Sequence, residues 1–296
     1  MNQLDPPRSE LAALRSTLAE QTRVIDALNL ELAETNSGVV ALYAELEDRA
    51  EQLRQAIELK SRFLSYMSHE FRTPLGAISS ISRILLDHFD GPLTVEQEKQ
   101  VRFIRGSAEE LTDMVNDLLD LAKIEAGRIT ISPGWFEMFD LFSALRGMFK
   151  PIVDAKSVNL IFEEPANHSH LYTDHKKLSQ ILRNFISNAL KFTPEGVVRV
   201  KAVYHDVEWV TFSVSDTGIG IAKEYQAQLF NDFVQVDSPI QRHLRGSGLG
   251  LSLSKHLAEL LGGSVSIESS LGVGSTFSLT VPARLPGFTE EDQRGG

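Results

Sequence analysis

Residues 68–75 read SHEFRTPL and lie within a helical pattern that extends from about residue 11 to residue 88. Apolar side chains recur at spacings of three and four through this segment, as they do on the buried face of a bundle helix. Pro74 removes one helical hydrogen bond and therefore predicts a bend in the helix. The residues expected to face a bundle core are Leu64, Met67, Phe71 and Leu75.

His69 then faces outward and is a candidate nucleophile. Glu70 is adjacent in the sequence and could accept a hydrogen bond from one ring nitrogen, which leaves the other nitrogen with a free lone pair. Taken alone, a single histidine is more often a surface residue or a satisfied core residue, and that interpretation stays open. Thr73 stands where the zinc-protease pattern HExxH has its second histidine, so the segment does not predict metal-dependent hydrolysis.

The first sixty residues carry an apolar residue at every seventh position from Leu11 to Leu53. A second series, displaced by three residues, is half polar, and this combination is typical of a parallel coiled coil. The alternative is a long amphipathic helix that lies on its own domain. Fifty helical residues span about 75 Å, more than a small domain covers, so we favour dimerisation. Residues 35–38, TNSG, are poor helix formers and mark a weak point in this helix, which could be a hinge.

A second long amphipathic stretch follows the helix-breaking residues 90–92, DGP. It extends from about Val101 to Gly127, where glycine suits a helix C-terminus. Two long helices around a short turn form a hairpin, and a hairpin that continues a coiled coil forms a four-helix bundle in the dimer.

From residue 128 onward, short strand-like runs alternate with amphipathic helices, which predicts a mixed α/β sandwich. Two helices have apolar faces around Phe142 and Phe185, and a third extends over about residues 249–261. The polar tail after residue 285 is expected to be disordered. The predicted strands are residues 128–131, 158–162, 197–204, 209–214, 264–268 and 275–281.

In the second of these helices, Asn184, Asn188 and Lys191 share one face because they are spaced by four and then three residues. Two amide oxygens and an ammonium group suit hydrated Mg²⁺ and a polyphosphate, since Mg²⁺ prefers few protein oxygens together with water and phosphate. A solvated polar stripe is an equally good interpretation of these residues alone, although such a stripe normally carries Glu and Lys.

A short glycine segment directly follows a predicted strand. Asp216 precedes Gly218 and Gly220, so the backbone could approach a ligand closely while the carboxylate accepts a hydrogen bond from an amino group. A glycine turn after a strand is common, and on its own this pattern is a weak indication of a binding site.

A second glycine segment, residues 246–250, reads GSGLG and opens a helix whose free N–H groups and positive dipole favour an anion. Its spacing fits neither a Rossmann GxGxxG motif nor a P-loop. The polar stretch before it is interpreted as a lid that could close over bound phosphates, with Arg242 and Arg245 as candidate clamps.

Composition excludes several classes of function. The net charge of −11, without a block of basic residues, argues against nucleic acid or an anionic membrane as a partner. The sequence contains no cysteine, so disulfides, zinc fingers and iron–sulfur clusters are excluded. Apolar runs are far shorter than the ~20 residues of a membrane helix, and the N-terminus lacks a secretion signal. We therefore expect a protein of the reducing cytoplasm.

Five segments in this order resemble those of a two-component sensor histidine kinase, over about residues 60–281. The resemblance implies a dimeric histidine-phosphotransfer hairpin and an ATP-binding α/β sandwich of the gyrase, chaperone, kinase and MutL (GHKL, or Bergerat) type. The segments are SHEFRTPL (68–75), NFISNALKFT (184–193), DTGIGI (216–221), FNDFVQVD (230–237) and GSGLGLSLS (246–254).

By this resemblance, His69 is the phosphoacceptor, and Glu70 is the partner that accepts its proton. Glu70 and Thr73 also match a pattern linked to dephosphorylation of the partner regulator, so both activities are expected. ATP and Mg²⁺ are the implied cofactors. The residues implied in their binding are Asn184 and Asn188 for Mg²⁺, Lys191 for phosphate, Asp216, Gly218 and Gly220 for adenine, and Arg242, Arg245, Gly246, Gly248 and Gly250 for the lid and triphosphate.

The expected organisation is a coiled-coil signalling helix (1–60), a dimerisation and phosphotransfer domain (61–128), a catalytic ATP-binding domain (129–285) and a tail (286–296). The expected partners are a second copy of the chain and the receiver domain of a separate response regulator, because no receiver sequence follows residue 281. The expected fold therefore combines helical segments with one α/β domain. Two alternatives are an ATPase of the same superfamily that clamps a dimer, and a non-catalytic dimeric scaffold.

Overall fold

The computed structural model describes residues 8–89, 91–154, 157–163, 170–205, 208–232, 234 and 248–287. Arg242, Arg245 and Gly246 of the predicted lid lie outside these residues, as does nearly all of the predicted tail. The chain divides into two units, Met1–Lys60 and Ser61–Gly296.

In the first unit, the described residues belong to helix α1 (Arg8–Leu86). The prediction of a continuous helix is confirmed, and residues 35–38 are helical as well. An isolated helix buries none of its apolar stripe, so packing on another surface would stabilise this one. The exposed apolar residues of the two heptad series are Leu11, Leu14, Leu18, Ile25, Leu28, Leu32, Val39, Leu42, Leu46 and Leu53.

The second unit begins with the remainder of α1, which pairs with helix α2 (Val95–Glu125) in the predicted hairpin. Thr94 caps α2: its hydroxyl accepts the N–H of Gln97, and the Gln97 side chain accepts the N–H of Thr94. The buried face of α1 carries Ser68, Leu75 and Ser82, spaced by seven residues. Phe71, which the apolar spacing places in the core, is 49% exposed, because the face that α1 buries in the single chain is narrow.

One predicted strand, directly after α2, is wrong. Residues 128–131 form no strand, and the first strand begins three residues later, at Gly134. Gly127 has φ +64°, and the N–H of Arg128 donates to the carbonyl of Lys123, so the start of this segment completes the helix end. Ile129 and Ile131 alternate as in a strand because they pack on the core of the α/β domain.

The α/β domain contains the other five predicted strands and two, β1 and β3, that were not predicted. Its elements are β1 (Gly134–Glu137), α3 (Met138–Asp154), β2 (Ser157–Glu163), β3 (His170–Thr173), α4 (His175–Phe192), β4 (Glu195–His205), β5 (Trp209–Asp216), α5 (Lys223–Gln226), α6 (Gly250–Leu260), β6 (Ser264–Ser270) and β7 (Gly274–Pro282).

A mixed five-stranded sheet of order β2-β4-β5-β7-β6 forms one layer of this domain. Strands β2 and β4 are parallel, and the other neighbouring pairs are antiparallel. A separate antiparallel ladder joins β1 to β3. The long helices form the second layer, and buried residues of α3, α4 and α6 share one apolar core with the strands of the large sheet. The predicted α/β sandwich is therefore confirmed.

Within the described ranges, no helix combines the length and apolar character needed to cross a membrane.

Candidate active site

Helix α4 carries the predicted asparagines and is fixed at its start by a buried aspartate. The carboxylate of Asp174 accepts hydrogen bonds from the backbone N–H groups of Lys176 and Lys177, at 3.0 and 3.2 Å. Its second oxygen accepts the N–H of Ser132 at 2.9 Å. One side chain therefore caps α4 and ties the segment after the hairpin to the start of this helix.

Asn184 and Asn188 lie in direct contact on α4. The Nδ2 of Asn188 donates to the Oδ1 of Asn184 at 3.2 Å, and the Nδ2 of Asn184 donates to the hydroxyl of Ser254 on α6 at 2.8 Å. That hydroxyl in turn donates to the carbonyl of Gly250 at 2.8 Å. The two asparagines are thus held in fixed orientations against the first turn of α6.

The N-terminus of α6 lies beside these asparagines. Helix α6 begins at Gly250, and Leu249 provides no side-chain cap, so the first N–H groups are available to an anion. Gly248 has φ +72°, a conformation that a residue with a Cβ rarely adopts. The structure therefore brings Gly250, at this helix end, together with Asn184, and the anion site stays a prediction.

Asp216 ends β5, and the turn after it encloses the carboxylate. The Oδ1 of Asp216 accepts the backbone N–H of Gly218 at 2.8 Å. Burial raises the pKa of Asp216, while the backbone N–H groups of Gly218 and Ser275 act in the opposite direction. A Cβ at Gly218 would overlap the carbonyl oxygen of Phe192, and one at Gly220 would overlap that of Ser270. Both glycines therefore permit close packing of this turn on neighbouring backbone.

Lys191 lies in the last turn of α4, and its Nζ is 5.8 Å from the centre of the Phe192 ring. Burial lowers the pKa of Lys191, and the negative charge of Glu110, on α2, raises it. A partly desolvated ammonium group near the two asparagines can bind phosphate more strongly than one in open water.

His69 is exposed on α1, as predicted, and so are Glu70 and Thr73. The Thr73 hydroxyl donates to the carbonyl of His69 at 3.3 Å. Within the described residues Glu70 makes no hydrogen bond to the His69 ring, because adjacent residues on a helix point about 100° apart. The suggested pairing of these two side chains therefore stays a prediction.

The turn after His69 is attached to α2. The Nη2 of Arg72 donates to the Oδ1 of Asn116 at 3.1 Å across the hairpin. Pro74 lies inside α1 and removes one backbone donor from the next turn. The hydrogen bond between Arg72 and Asn116 therefore fixes the position of α1 against α2 within one turn of His69, the candidate phosphoacceptor.

The structure brings Asn184, Asn188, Lys191 and Gly250 into one region and places His69 on the hairpin. In the described part of the chain, no group of three or more His, Asp or Glu residues could hold a metal ion. Amide oxygens, phosphate and water are therefore the ligands to consider for Mg²⁺ at this site.

Sequence reasoning missed residues that position the site. Ser254 and Asp174 orient the asparagines and α4, but a serine in a helix or an aspartate before one gives little sign of its partner. Three carboxylates of α2 lie beside α4: the Gln180 side chain donates to Asp120 at 3.0 Å, and the positive charge of Arg183 acts to lower the pKa values of Asp113 and Asp117. Their spacing of four and three places them on one face of α2, which the apolar pattern of that helix did not reveal.

Two family models match adjoining parts of the chain. Residues 59–127 match "His Kinase A (phospho-acceptor) domain", and residues 173–285 match "Histidine kinase-, DNA gyrase B-, and HSP90-like ATPase". The first range contains His69, and the second contains Asn188, Asp216 and Gly250.

Among curated proteins, the chain is 38% identical over 274 residues to the circadian input-output histidine kinase CikA of Synechococcus elongatus, covering 92% of this chain and 35% of the relative. It is 37% identical over 239 residues to the autoinducer 2 sensor kinase/phosphatase LuxQ of Vibrio harveyi, covering 79% and 28%. The chain therefore spans about a third of the length of these relatives.

Among solved structures, full-length ShkA in complex with AMPPNP matches with a TM-score of 0.62 and 33% identity, covering 75% of this chain and 45% of ShkA. The histidine kinase AdeS of Acinetobacter baumannii matches with a TM-score of 0.52 and 19% identity, over 73% of this chain and 98% of AdeS. The second similarity concerns the fold alone.

Proposed function

The chain belongs to the two-component sensor histidine kinases, and from this premise we propose that it transfers the γ-phosphoryl group of ATP to His69 and then to an aspartate of a separate response regulator. One observation supports the proposal above all. The same chain contains an exposed histidine on the predicted phosphoacceptor hairpin and a Bergerat-type domain in which hydrogen bonds orient a pair of asparagines.

We assign adenine recognition to Asp216, whose buried carboxylate can accept a hydrogen bond from the amino group of the base. Gly218 and Gly220 form the turn beside it. We assign the phosphates to Lys191 and to the backbone N–H groups at Gly248 and Gly250. The lid assignment of Arg242, Arg245 and Gly246 rests on the sequence resemblance alone.

Mg²⁺ fits the chemistry of the residues at the asparagine pair. Asn184 and Asn188 offer amide oxygens on adjacent turns, and their Nδ2 groups are already engaged by neighbouring acceptors. When bound, Mg²⁺ would offset negative charge on the polyphosphate, with water and phosphate oxygens as further ligands. Asn188 and Asn184 would hold it.

In the proposed reaction a neutral ring nitrogen of His69 attacks the γ-phosphorus in line. The nitrogen–phosphorus bond forms as the bond to the β,γ-bridging oxygen breaks, and ADP leaves with that electron pair. Lys191 stabilises negative charge on the phosphoryl oxygens. Glu70 accepts the proton that the imidazole loses, once the domains have closed and its side chain has reoriented.

The phosphoryl group then passes to a receiver aspartate on another chain, and His69 regains its lone pair. Glu70 and Thr73 would also serve in removing phosphate from that regulator, the activity implied by the pattern that they match. The name of LuxQ includes a phosphatase as well as a kinase, which supports testing both directions.

The working unit is proposed to be a homodimer. The exposed apolar series of α1 supports a parallel coiled coil over residues 1–60, and residues 61–128 would form a four-helix bundle with the partner's hairpin. Residues 129–285 would form the catalytic domain. We place the active kinase in the cytoplasm, where ATP is available.

A radiolabel experiment separates the kinase from the two alternatives. Incubation with Mg²⁺ and γ-labelled ATP should give an acid-labile label on the wild-type chain and on His205→Gln, whose histidine is also exposed. The label should be absent from His69→Gln. ATP hydrolysis without label would indicate a superfamily ATPase clamp, and failure to bind an ATP analogue with Mg²⁺ would indicate a scaffold.

A further inference from the structure

The turn at the end of β5, residues 216–221, is here called the site turn; Asp216 is its first residue and Ile221 its last. Both polar backbone groups of Ile221 are bonded to side chains of other elements. Its N–H donates to the hydroxyl of Ser269, on β6, at 2.8 Å, and its carbonyl accepts from the Nε2 of Gln226, on α5, at 2.8 Å. The end of the site turn is therefore held from two sides.

The hydroxyl of Ser269 contacts three groups, and its hydrogen bonding is complete. It donates to the carbonyl of Gly274 at 3.0 Å, accepts the N–H of Ile221, and lies 2.9 Å from the hydroxyl of Ser275. A hydroxyl group has one proton and two acceptor lone pairs. Because the proton of Ser269 is directed to Gly274, the Ser275 hydroxyl is the donor in the third contact.

The same network reaches the start of the site turn. Gly274 packs against Asp216, because a Cβ atom on this glycine would overlap the carbonyl oxygen of Asp216. The backbone N–H of Ser275 bonds to the Asp216 carboxylate, which also accepts the N–H of Gly218 at 2.8 Å. Ser269 therefore links the last residue of the turn to the two residues of β7 that support its first residue.

The side-chain amide of Gln226 has a fixed orientation. One of its two N–H bonds is directed to the carbonyl of Ile221 and the other to the carbonyl of Ser269, at 2.8 and 2.9 Å. Gln226 is half-buried, so rotation of its side chain would leave these groups without the same access to water. Polar networks in which every donor is paired rigidify the backbone that they join.

We propose that Ser269 and Gln226 are positioning residues for adenine recognition, which hold the site turn so that Asp216 and Gly218 meet the base in one arrangement. The inference rests on the proposed function, in which the Asp216 carboxylate accepts the amino group of the base. The hydrogen bonds of the network end on the site turn, the β6–β7 hairpin and α5. Its loss therefore weakens binding of the base and leaves the chemical step unchanged once ATP is saturating.

Gln226→Glu tests the proposal with little change of shape, because a carboxylate cannot donate to the two carbonyl groups. The KM for ATP in the initial rate of His69 labelling should rise at least about fivefold, with the maximal rate within about twofold of wild type. Gln228→Glu, at an exposed glutamine, controls for the added charge. Ser269→Ala should also raise KM, whereas Ser266→Ala, at an exposed serine of β6, should not.

Inosine triphosphate separates recognition of the amino group from the rest of the nucleotide, because its base has an oxygen in place of that group. Competition titration in the His69→Gln background should show that the chain binds Mg·ATP more tightly than Mg·ITP. Gln226→Glu and Ser269→Ala should reduce this preference at least about threefold, because Asp216 is then less firmly oriented.

Three outcomes would count against these assignments. Wild-type KM and wild-type nucleotide preference in both variants would overturn the inference and leave the kinase intact. A lower maximal rate at unchanged KM would indicate a smaller folded fraction, and would overturn it as well. A wild-type chain that binds Mg·ATP but never labels His69 would instead overturn the proposed function, while the titrations would still test the positioning role.

Discussion

The side-chain oxygen of Asn184 lies so close to Gly250 that a Cβ atom on that glycine would be 2.5 Å from it. Helices α4 and α6 therefore meet at a point where one side must be a glycine. The proposed metal-binding asparagine and the proposed phosphate-binding helix end are positioned by the same contact.

Gly250→Ala should displace Asn184 and weaken ATP binding. Because the new methyl group meets an oriented side chain that also contacts Ser254 and Asn188, we expect affinity for Mg·ATP to fall at least about tenfold, or about 1.4 kcal/mol. Isothermal titration with a non-hydrolysable analogue measures this. Gly147→Ala is the matched control, since a Cβ there has no neighbour within 4 Å. Equal affinities of the two variants would refute the proposed role of this contact.

Asp216→Ala should remove the acceptor proposed for the adenine amino group. The variant also frees the N–H of Gly218, so we expect at least about a tenfold loss of ATP affinity. Thermal melting shows whether the domain stays folded. Asp154→Ala, at an exposed aspartate that ends α3, serves as the control. If Asp216→Ala bound ATP as tightly as this control, the adenine assignment would be wrong.

Asp174→Ala should destabilise the α/β domain without touching the nucleotide. It removes the acceptor of three backbone N–H groups, two at the start of α4 and one at Ser132, so we expect a loss of about 2–3 kcal/mol in the free energy of unfolding. Urea denaturation measures the change. Asp140→Ala, an exposed acidic residue in the first turn of α3, should change stability by less than about 0.5 kcal/mol. A similar loss in both variants would contradict the capping argument.

The general fold followed from sequence periodicity because the elements are long or strongly patterned. Gly127 ends α2 where turn chemistry predicts, whereas α2 begins after the cap Thr94, six residues before the predicted Val101. Strand β3, only four residues long and paired with β1, lacked enough alternation to be predicted. Residues 128–131 alternate because Ile129 and Ile131 pack on the core, and such packing does not require a strand partner.

The sequence likewise predicted only part of the candidate site. Spacing alone placed Asn184, Asn188 and Lys191 on one face of α4. The contacts that orient them come from distant parts of the chain, such as Ser254 on α6 and Glu110 on α2, and no local pattern indicates these partners. The exposure of Phe71 shows the same limit, since which face of a helix is buried depends on the neighbour that packs against it.

The central claim is that the C-terminal domain delivers the terminal phosphoryl group of ATP to His69. Mass-spectrometric mapping of the chain after incubation with Mg·ATP, under alkaline conditions that preserve phosphohistidine, tests it most directly. The account predicts one phosphorylated peptide, containing His69, which disappears in Asn188→Ala. A phosphoryl group on any other residue, or an unmodified His69 peptide from a chain that hydrolyses ATP, would contradict it.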